Sequence, residues 1–333
     1  MNVLITGCLG YLGSVLTKYL EDAGYDCTGL DTGFFRDCLL YRQAHAGQRY
    51  IDVRDLTHED LKGHDVVVHL AGISNDPMGQ LDAATIYDPT RAYSHKLATM
   101  CKQQGIRLIF ASSCSVYGVG TEELMTEESQ VNPQTFYSLN KKQIEDDLAS
   151  LSDNSFSPIA LRFATVFGLS PRIRFDIVVN MLVGMAVSTR QVILNSDGLA
   201  WRPNLHILDL CEAVKRAIQL NYDGGKLLVL NVGSEDNNHQ VIEIARMIQE
   251  CVTESEINYL SVDSSLDNEG LIRDRKVADG KTDNRSYRVS FQKIRNVLPG
   301  FECQWSVKRG IQQMVDLFMQ LPLTHETFKR IDF

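Results

Sequence analysis

The chain has 333 residues with a formal net charge of −9, 44% hydrophobic and 23% charged, room for about two domains or one large α/β unit with an appendage. The acidic balance argues against nucleic acid as a partner, and no apolar run approaches the ~20 residues of a membrane span. Eight cysteines without a C-x-x-C pair read as reduced thiols, not as a disulfide framework or a metal site, and the start, which leaves no room for a signal peptide, adds to the expectation of a cytoplasmic protein.

Val3, Leu4 and Ile5 form a short apolar run, the signal of a buried strand. Gly7, Gly10 and Gly13 follow at G-x-x-G-x-x-G spacing. A helical pattern then runs from Ser14 to about Ala23, with Val15, Leu16, Tyr19 and Leu20 on one face. Gly24 stops it, and a second strand ends at Asp31. Strand, glycine turn, helix, strand and acid together are the fingerprint of a dinucleotide site. Glycine lets the backbone approach a pyrophosphate, and the helix N-terminus offers it free N–H groups and partial positive charge. Asp31 can accept hydrogen bonds from the adenosine ribose and would repel a 2′-phosphate, which favours NAD over NADP. Arg36 lies near enough in sequence to keep NADP open.

Residues 32–47 predict a loop with a short helix, and Arg49 to Val53 a third strand. Asp52 at its end is placed either beside the adenine or in solvent. A short helix follows, with Thr57 as N-cap and Asp60 three residues on. Val66 to Gly72 is almost wholly apolar, a strand buried on both faces as in a parallel sheet. His69 within it reads as a satisfied core histidine. Residues 81–104 are helical, and Arg107 to Ser113 is a fifth strand. Strands alternating with helices predict an α/β fold with a doubly wound parallel sheet.

The fifth strand runs into Ser112-Ser113-Cys114-Ser115-Val116-Tyr117-Gly118, and some way on Tyr137-Ser138-Leu139-Asn140-Lys141 opens a helix. Tyr137 and Lys141 are one turn apart and share a face. A tyrosine, of pKa ~10, is a poor base at neutral pH. A nearby ammonium and an oxidised nicotinamide stabilise its phenolate. That phenolate can take a proton from an alcohol while hydride leaves the same carbon, with Ser113 holding the oxygen in line.

With TGCLGYLG, Asp31, DVRD, HLAG, SSCSVYG, YSLNK, LRFATVFG, WRPNLHILD and NVGS in place, the chain resembles the extended short-chain dehydrogenase/reductases. Within them it is similar to the nucleotide-sugar epimerase/dehydratase group, as in the UDP-glucose 4-epimerases. The resemblance implies a Rossmann-type NAD-binding domain from residues 1–169 plus 196–233, and a smaller substrate-binding region from 170–195 plus 234–333. It implies Ser113, Tyr137 and Lys141 as the catalytic trio, Tyr137 and Lys141 also touching NAD. Gly7, Gly10, Tyr11, Leu12, Gly13, Asp31, Asp52, Val53, Leu70, Ala71 and Gly72 would complete the cofactor site. Ser113, Asn180, Arg202 and Arg285 would hold a nucleoside-diphosphate sugar, with Arg172 and Arg174 adding local positive charge. No metal is implied, and a homodimer through helices around 91–104 and 138–151 is.

Two departures bear on the reaction. Family 4,6-dehydratases carry Asp-Glu after the catalytic hydroxyl, where this chain has Cys114 and Ser115. Neither is a carboxylic acid, which counts against dehydration, and Cys114 reads as a packing residue beside the cofactor ahead of the alternative, a catalytic thiol. Thr165 stands where many epimerases have asparagine, and Ser74 to Pro77 form a loop within reach of a sugar. The expected activity is 4-epimerisation through a transient 4-keto sugar. The alternatives are a nucleotide-sugar dehydrogenase or 4-ketoreductase, then a 4,6-dehydratase, then a non-catalytic NAD-binding sensor.

Overall fold

The computed structural model describes residues 1–43, 47–74, 83–121, 123–259, 285–321 and 323. Its first half runs β1 (Asn2–Thr6), α1 (Tyr11–Asp22), β2 (Asp26–Asp31), β3 (Gln48–Tyr50), α2 (His58–Leu61), β4 (Val66–His69), α3 (Ala83–Gln104), β5 (Arg107–Ser113) and α4 (Phe136–Leu151). There follow β6 (Ile159–Phe163), β7 (Thr165–Phe167), α5 (Val178–Thr189), β8 (Gln191–Leu194), β9 (Trp201–His206) and α6 (Ile207–Gln219). The last elements are β10 (Leu228–Val232), β11 (Asn238–Gln240), α7 (Val241–Cys251), β12 (Glu256–Tyr259), α8 (Gln292–Val297) and α9 (Val307–Gln320).

One seven-stranded sheet, in the order β10-β6-β5-β4-β1-β2-β3, is parallel throughout. Its strands are apolar on both faces because successive side chains point opposite ways. Val3, Ile5, Val66, Val68, Ile109 and Leu161 pack on one side with Leu16, Leu210 and Val214 of α1 and α6. Leu4, Val67, Leu108, Phe110 and Ala160 pack on the other with Leu97, Ala98 and Cys101 of α3 and Ile144 and Leu148 of α4. The apolar faces of α3 and α4 are therefore consumed by the sheet.

A second cluster joins α5, β8, α7 and α9 through Val179, Leu182, Val192, Ile244, Ile248, Ile311 and Phe318. Tyr287, Val289, Phe291, Ile294, Leu298 and Phe301 return to the first cluster, so the chain re-enters the sheet layer before α9. β7 and β9 pair in parallel, and β11 pairs with β9 antiparallel. These carry the chain between the two clusters.

Two local expectations are corrected. The third strand stops at Tyr50, because the Asp52 carboxylate accepts from Arg54 N (2.9 Å) and caps a single 3₁₀ turn, Val53–Asp55. Residues 32–43 form turns with no helix among them, while 44–46 lie outside the described residues. The Thr57 cap stands as expected, with Asp60 Oδ2 accepting from Thr57 N (2.9 Å) and Oγ1 (2.8 Å). His69 has both ring nitrogens occupied, by Thr6 Oγ1 (2.7 Å) and Ser94 Oγ (2.9 Å). Burial holds it neutral, its pKa down at about 3.

Candidate active site

At the carboxyl ends of the sheet strands, where the strand order reverses between β1 and β4, lies a cavity of about 720 Å³. Its floor is the glycine turn. Gly7 has φ +78°, and a Cβ there would lie 2.8 Å from Ala71 N. A Cβ on Gly13 would lie 2.0 Å from Gly7 O. The turn can therefore close beneath α1 only without side chains. Tyr11, Leu12, Leu70, Ala71 and Gly72 complete this wall, and the α1 N-terminus opens into it.

Asp31 faces the same wall. Its Oδ2 accepts from Leu9 N (3.0 Å) and its Oδ1 from Gly33 N (2.9 Å). Each oxygen keeps a lone pair for a ribose hydroxyl. Arg36 instead turns to Asp37 and is not part of the cavity wall, so the cation that would balance a 2′-phosphate is not supplied from there. Asp52 and Val53 line the cavity. The Asp52 carboxylate is gripped by the Arg54 guanidinium at 2.6 Å, which holds it below the usual carboxylate range. A glycine cradle, a helix N-terminus and a ribose acceptor are what NAD requires.

Ser113 ends β5, and its Oγ accepts from Ser115 N (3.1 Å), leaving its own O–H to donate. α4 begins at Phe136 because Thr135 and Ser138 cap one another, Ser138 N to Thr135 Oγ1 at 3.2 Å and Thr135 N to Ser138 Oγ at 3.1 Å. That start puts Tyr137 in the first turn and Lys141 one turn deeper. Lys141 Nζ donates to Ala111 O (2.8 Å) and lies 4.7 Å from the Phe110 ring centroid and 5.6 Å from that of Tyr137. Burial pulls Lys141 down to about 8, and the Glu145 carboxylate pushes back. Ser113, Tyr137 and Lys141 all line the cavity.

The substrate candidates separate. Arg202 and Arg285 line the cavity, and Arg202 donates to Trp201 O (2.9 Å) and to Arg285 O. Asn180 is fully buried behind the wall. Its Oδ1 accepts from Gly168 N (3.0 Å), and its Nδ2 donates to Tyr11 O–H oxygen (3.2 Å) and Arg174 O (3.0 Å). It holds the wall and does not reach the cavity.

Cys114 is buried, its Sγ donating to Arg162 O (3.1 Å), and burial raises its thiol far above its ordinary range. Ser115 and Thr165 do line the cavity. Of the Ser74–Pro77 loop, Ser74 is in the wall and residues 75–77 lie outside the described residues.

One part of the site does more than the local positive charge expected of Arg172 and Arg174. Residues 170–176 touch the rim at successive points: Ser170 Oγ donates to Tyr11 O (2.8 Å), Pro171 O accepts from Leu40 N (2.7 Å), and Arg172 lies 4.6 Å from the Phe35 ring centroid. Arg174 ion-pairs with Asp176 and donates to Ser74 Oγ (2.6 Å) and O (2.9 Å). Its charge is balanced, so its reach across the rim ties two loops together.

A family model described as the NAD-dependent epimerase/dehydratase family matches residues 3–233. The chain belongs to that family. Its members are NAD-dependent enzymes, and the cradle described above fits that cofactor. A UDP-glucose 4-epimerase of Corynebacterium glutamicum is 28% identical over 275 residues, covering 74% of this chain and 80% of that protein. One from Bacillus subtilis is 25% identical over 309 residues, covering 79% and 85%. Among solved structures, an NAD-dependent NDP-hexosamine 5,6-dehydratase of tunicamycin biosynthesis superposes with a TM-score of 0.82 at 19% identity, covering 97% of this chain and 99% of that one. A UDP-glucuronic acid 4-epimerase from Bacillus cereus, in complex with UDP-glucuronic acid and NAD, gives 0.77 at 20%, covering 96% and 99%. These likenesses show the same fold.

Proposed function

We propose that this enzyme is a 4-epimerase of a nucleoside-diphosphate sugar. The carrying observation is a cavity that brings Ser113, Tyr137 and Lys141 to the glycine turn, with Cys114 and Ser115 where a dehydratase has its acids. The relatives named UDP-glucose 4-epimerase support the same reading.

Bound NAD supplies a reversible hydride acceptor. Gly7, Gly10, Tyr11, Leu12 and Gly13 would hold its pyrophosphate, Asp31 its adenosine ribose, Asp52 and Val53 its adenine, and Leu70, Ala71 and Gly72 would line the run towards the nicotinamide. Lys141 would hold the nicotinamide ribose and, as an ammonium, favours the Tyr137 phenolate. Tyr137 takes the proton of the sugar 4-hydroxyl while Ser113 donates to the same oxygen. Arg202 and Arg285 hold the diphosphate, and the keto sugar turns about that anchor before Tyr137 returns the proton. Asn180 acts by positioning Tyr11 and Arg174. Residues 1–169 with 196–233 form the cofactor domain and 170–195 with 234–333 the substrate region, with Ser113 and Arg202 reaching the sugar nucleotide from the cofactor domain.

Mass spectrometry of the enzyme with a panel of nucleotide sugars tests this. Unchanged mass at altered retention, without added cofactor, is the expected result. Loss of one water means dehydration, and a change of two hydrogens that needs added NAD or NADH means net redox. Either outcome overturns epimerisation.

The alkaline limb of kcat/KM should fall near pH 8. Lys141, pulled down to about 8, is an ammonium below that pH and loses its charge as pH rises through it. A profile flat to pH 10 would remove the ammonium from the mechanism.

We also assign the protein to the cytoplasm as a homodimer. Eight free cysteines and no membrane-crossing helix among the described residues support the first. Phe136 and Leu139, exposed on α4 at 54% and 43%, support the second, which light scattering would test.

A further inference from the structure

Behind the catalytic wall lies a polar cluster sealed from solvent. Glu145 and Arg162 are 3% and 4% exposed. Arg162 Nε donates to Glu145 Oε1 (2.9 Å) and Nη2 to Oε2 (2.7 Å), a two-point grip. Ser112 Oγ donates to the same Oε1 at 2.5 Å. The other arm of Arg162, Nη1, donates to the Tyr117 oxygen (3.0 Å), and Tyr117 O–H donates to Asn231 Oδ1 (2.8 Å). One chain of bonds thus joins α4, β5, β6 and β10 at the level of the site.

Its placement relative to the trio is specific. Tyr137, Lys141 and Glu145 succeed one another at four-residue steps along one face of α4. Ser112, held by Glu145, is the residue before Ser113. The helix supplies two members of the trio and the strand supplies the third, so their separation depends on how α4 sits against β5. Aliphatic packing tolerates small slips of a helix on a sheet, whereas a bidentate ion pair has one geometry. A buried pair of this kind adds little stability over apolar residues of the same volume, so fold stability alone does not account for it.

We propose that Glu145 and Arg162 are positioning residues: their pair sets α4 against β6, and Ser112 carries that setting to the adjoining β5, so that Tyr137, with Lys141 behind it, meets Ser113 at one substrate oxygen. The inference rests on the trio proposed above. Glu145 also acts on the charge of Lys141. The groups facing that ammonium are Tyr137 and Glu145 from α4, the neutral His69 from β4 and, beyond Glu145, Arg162 from β6. Glu145 is the anion that favours its protonated form.

Three variants test this. Glu145→Gln should lower kcat by about 10²-fold, the scale of a 1 Å misplacement, and should move the alkaline limb to lower pH, since the carboxylate that favours the Lys141 ammonium is gone. The double variant E145M/R162M removes the pair and leaves no unpaired charge. It should keep the wild-type melting temperature and NAD content and still lose about 10²-fold in kcat. Ser112→Ala cuts only the link to β5 and should cost about 10-fold at unchanged melting temperature, which decides the matter if the double variant fails to fold. Wild-type kcat and pH profile in a folded double variant, or in Ser112→Ala, would overturn the proposal. Tyr137→Phe, run alongside, separates the two levels. If it stays active the trio itself is misassigned, and if it is dead while the other variants are fully active, only the positioning role falls.

Discussion

Tyr137→Phe is expected to lower kcat by about 10²- to 10⁴-fold, the usual worth of a general acid–base group, with NAD content unchanged. The substitution removes one oxygen and keeps the ring beside Lys141. The cap that starts α4 is made by Thr135 and Ser138, so the helix has no reason to move. Lys141 keeps its bond to Ala111 O and its contact with Phe110. The loss should therefore fall on kcat and not on thermal stability or cofactor content, read respectively by steady-state turnover, by melting and by the absorbance of nucleotide released on denaturation. Wild-type turnover in this variant would remove Tyr137 as the base and leave Ser113 as the group to examine.

Gly13→Ala should have the largest effect on the cofactor. The added methyl would sit 2.0 Å from Gly7 O and 2.7 Å from Cys8 Cα, both backbone atoms that no rotamer change can clear. Either α1 lifts off the turn or the turn opens, and in both cases the helix N-terminus leaves the pyrophosphate position. Overpacking of this kind costs about 1–3 kcal/mol. The distinguishing result is the response to ligand. Added NAD should raise the melting temperature of the wild type by mass action and leave that of the variant where it was. A variant that still gains stability from NAD would show that the turn relaxes without losing its function.

Much of this was legible in the chain because it is local. The apolar run at Val3 to Ile5, the glycine spacing and Asp31 specify a strand, a turn and an acid within thirty-one residues. β5 spans Arg107–Ser113 as its pattern predicts. Tyr137 and Lys141 share a face through helical period alone. The third strand ended early because a side-chain cap at Asp52 competes with the ladder, and periodicity does not register caps of that kind.

What only the tertiary structure decided joins residues far apart in the chain. Asn180 has the composition of a ligand contact, yet its amide is used up on Gly168, Tyr11 and Arg174. Arg174 looks like a free cation until its guanidinium is seen bound by Asp176 and by Ser74, a hundred positions away. Glu145 and Arg162 read as an ordinary helical acid and a strand arginine, and their pairing exists only once α4 lies on β6. A periodic pattern states which face of an element is apolar. Which polar group meets which partner across that face depends on the packing of whole elements, and the polar contacts around this cavity were decided there.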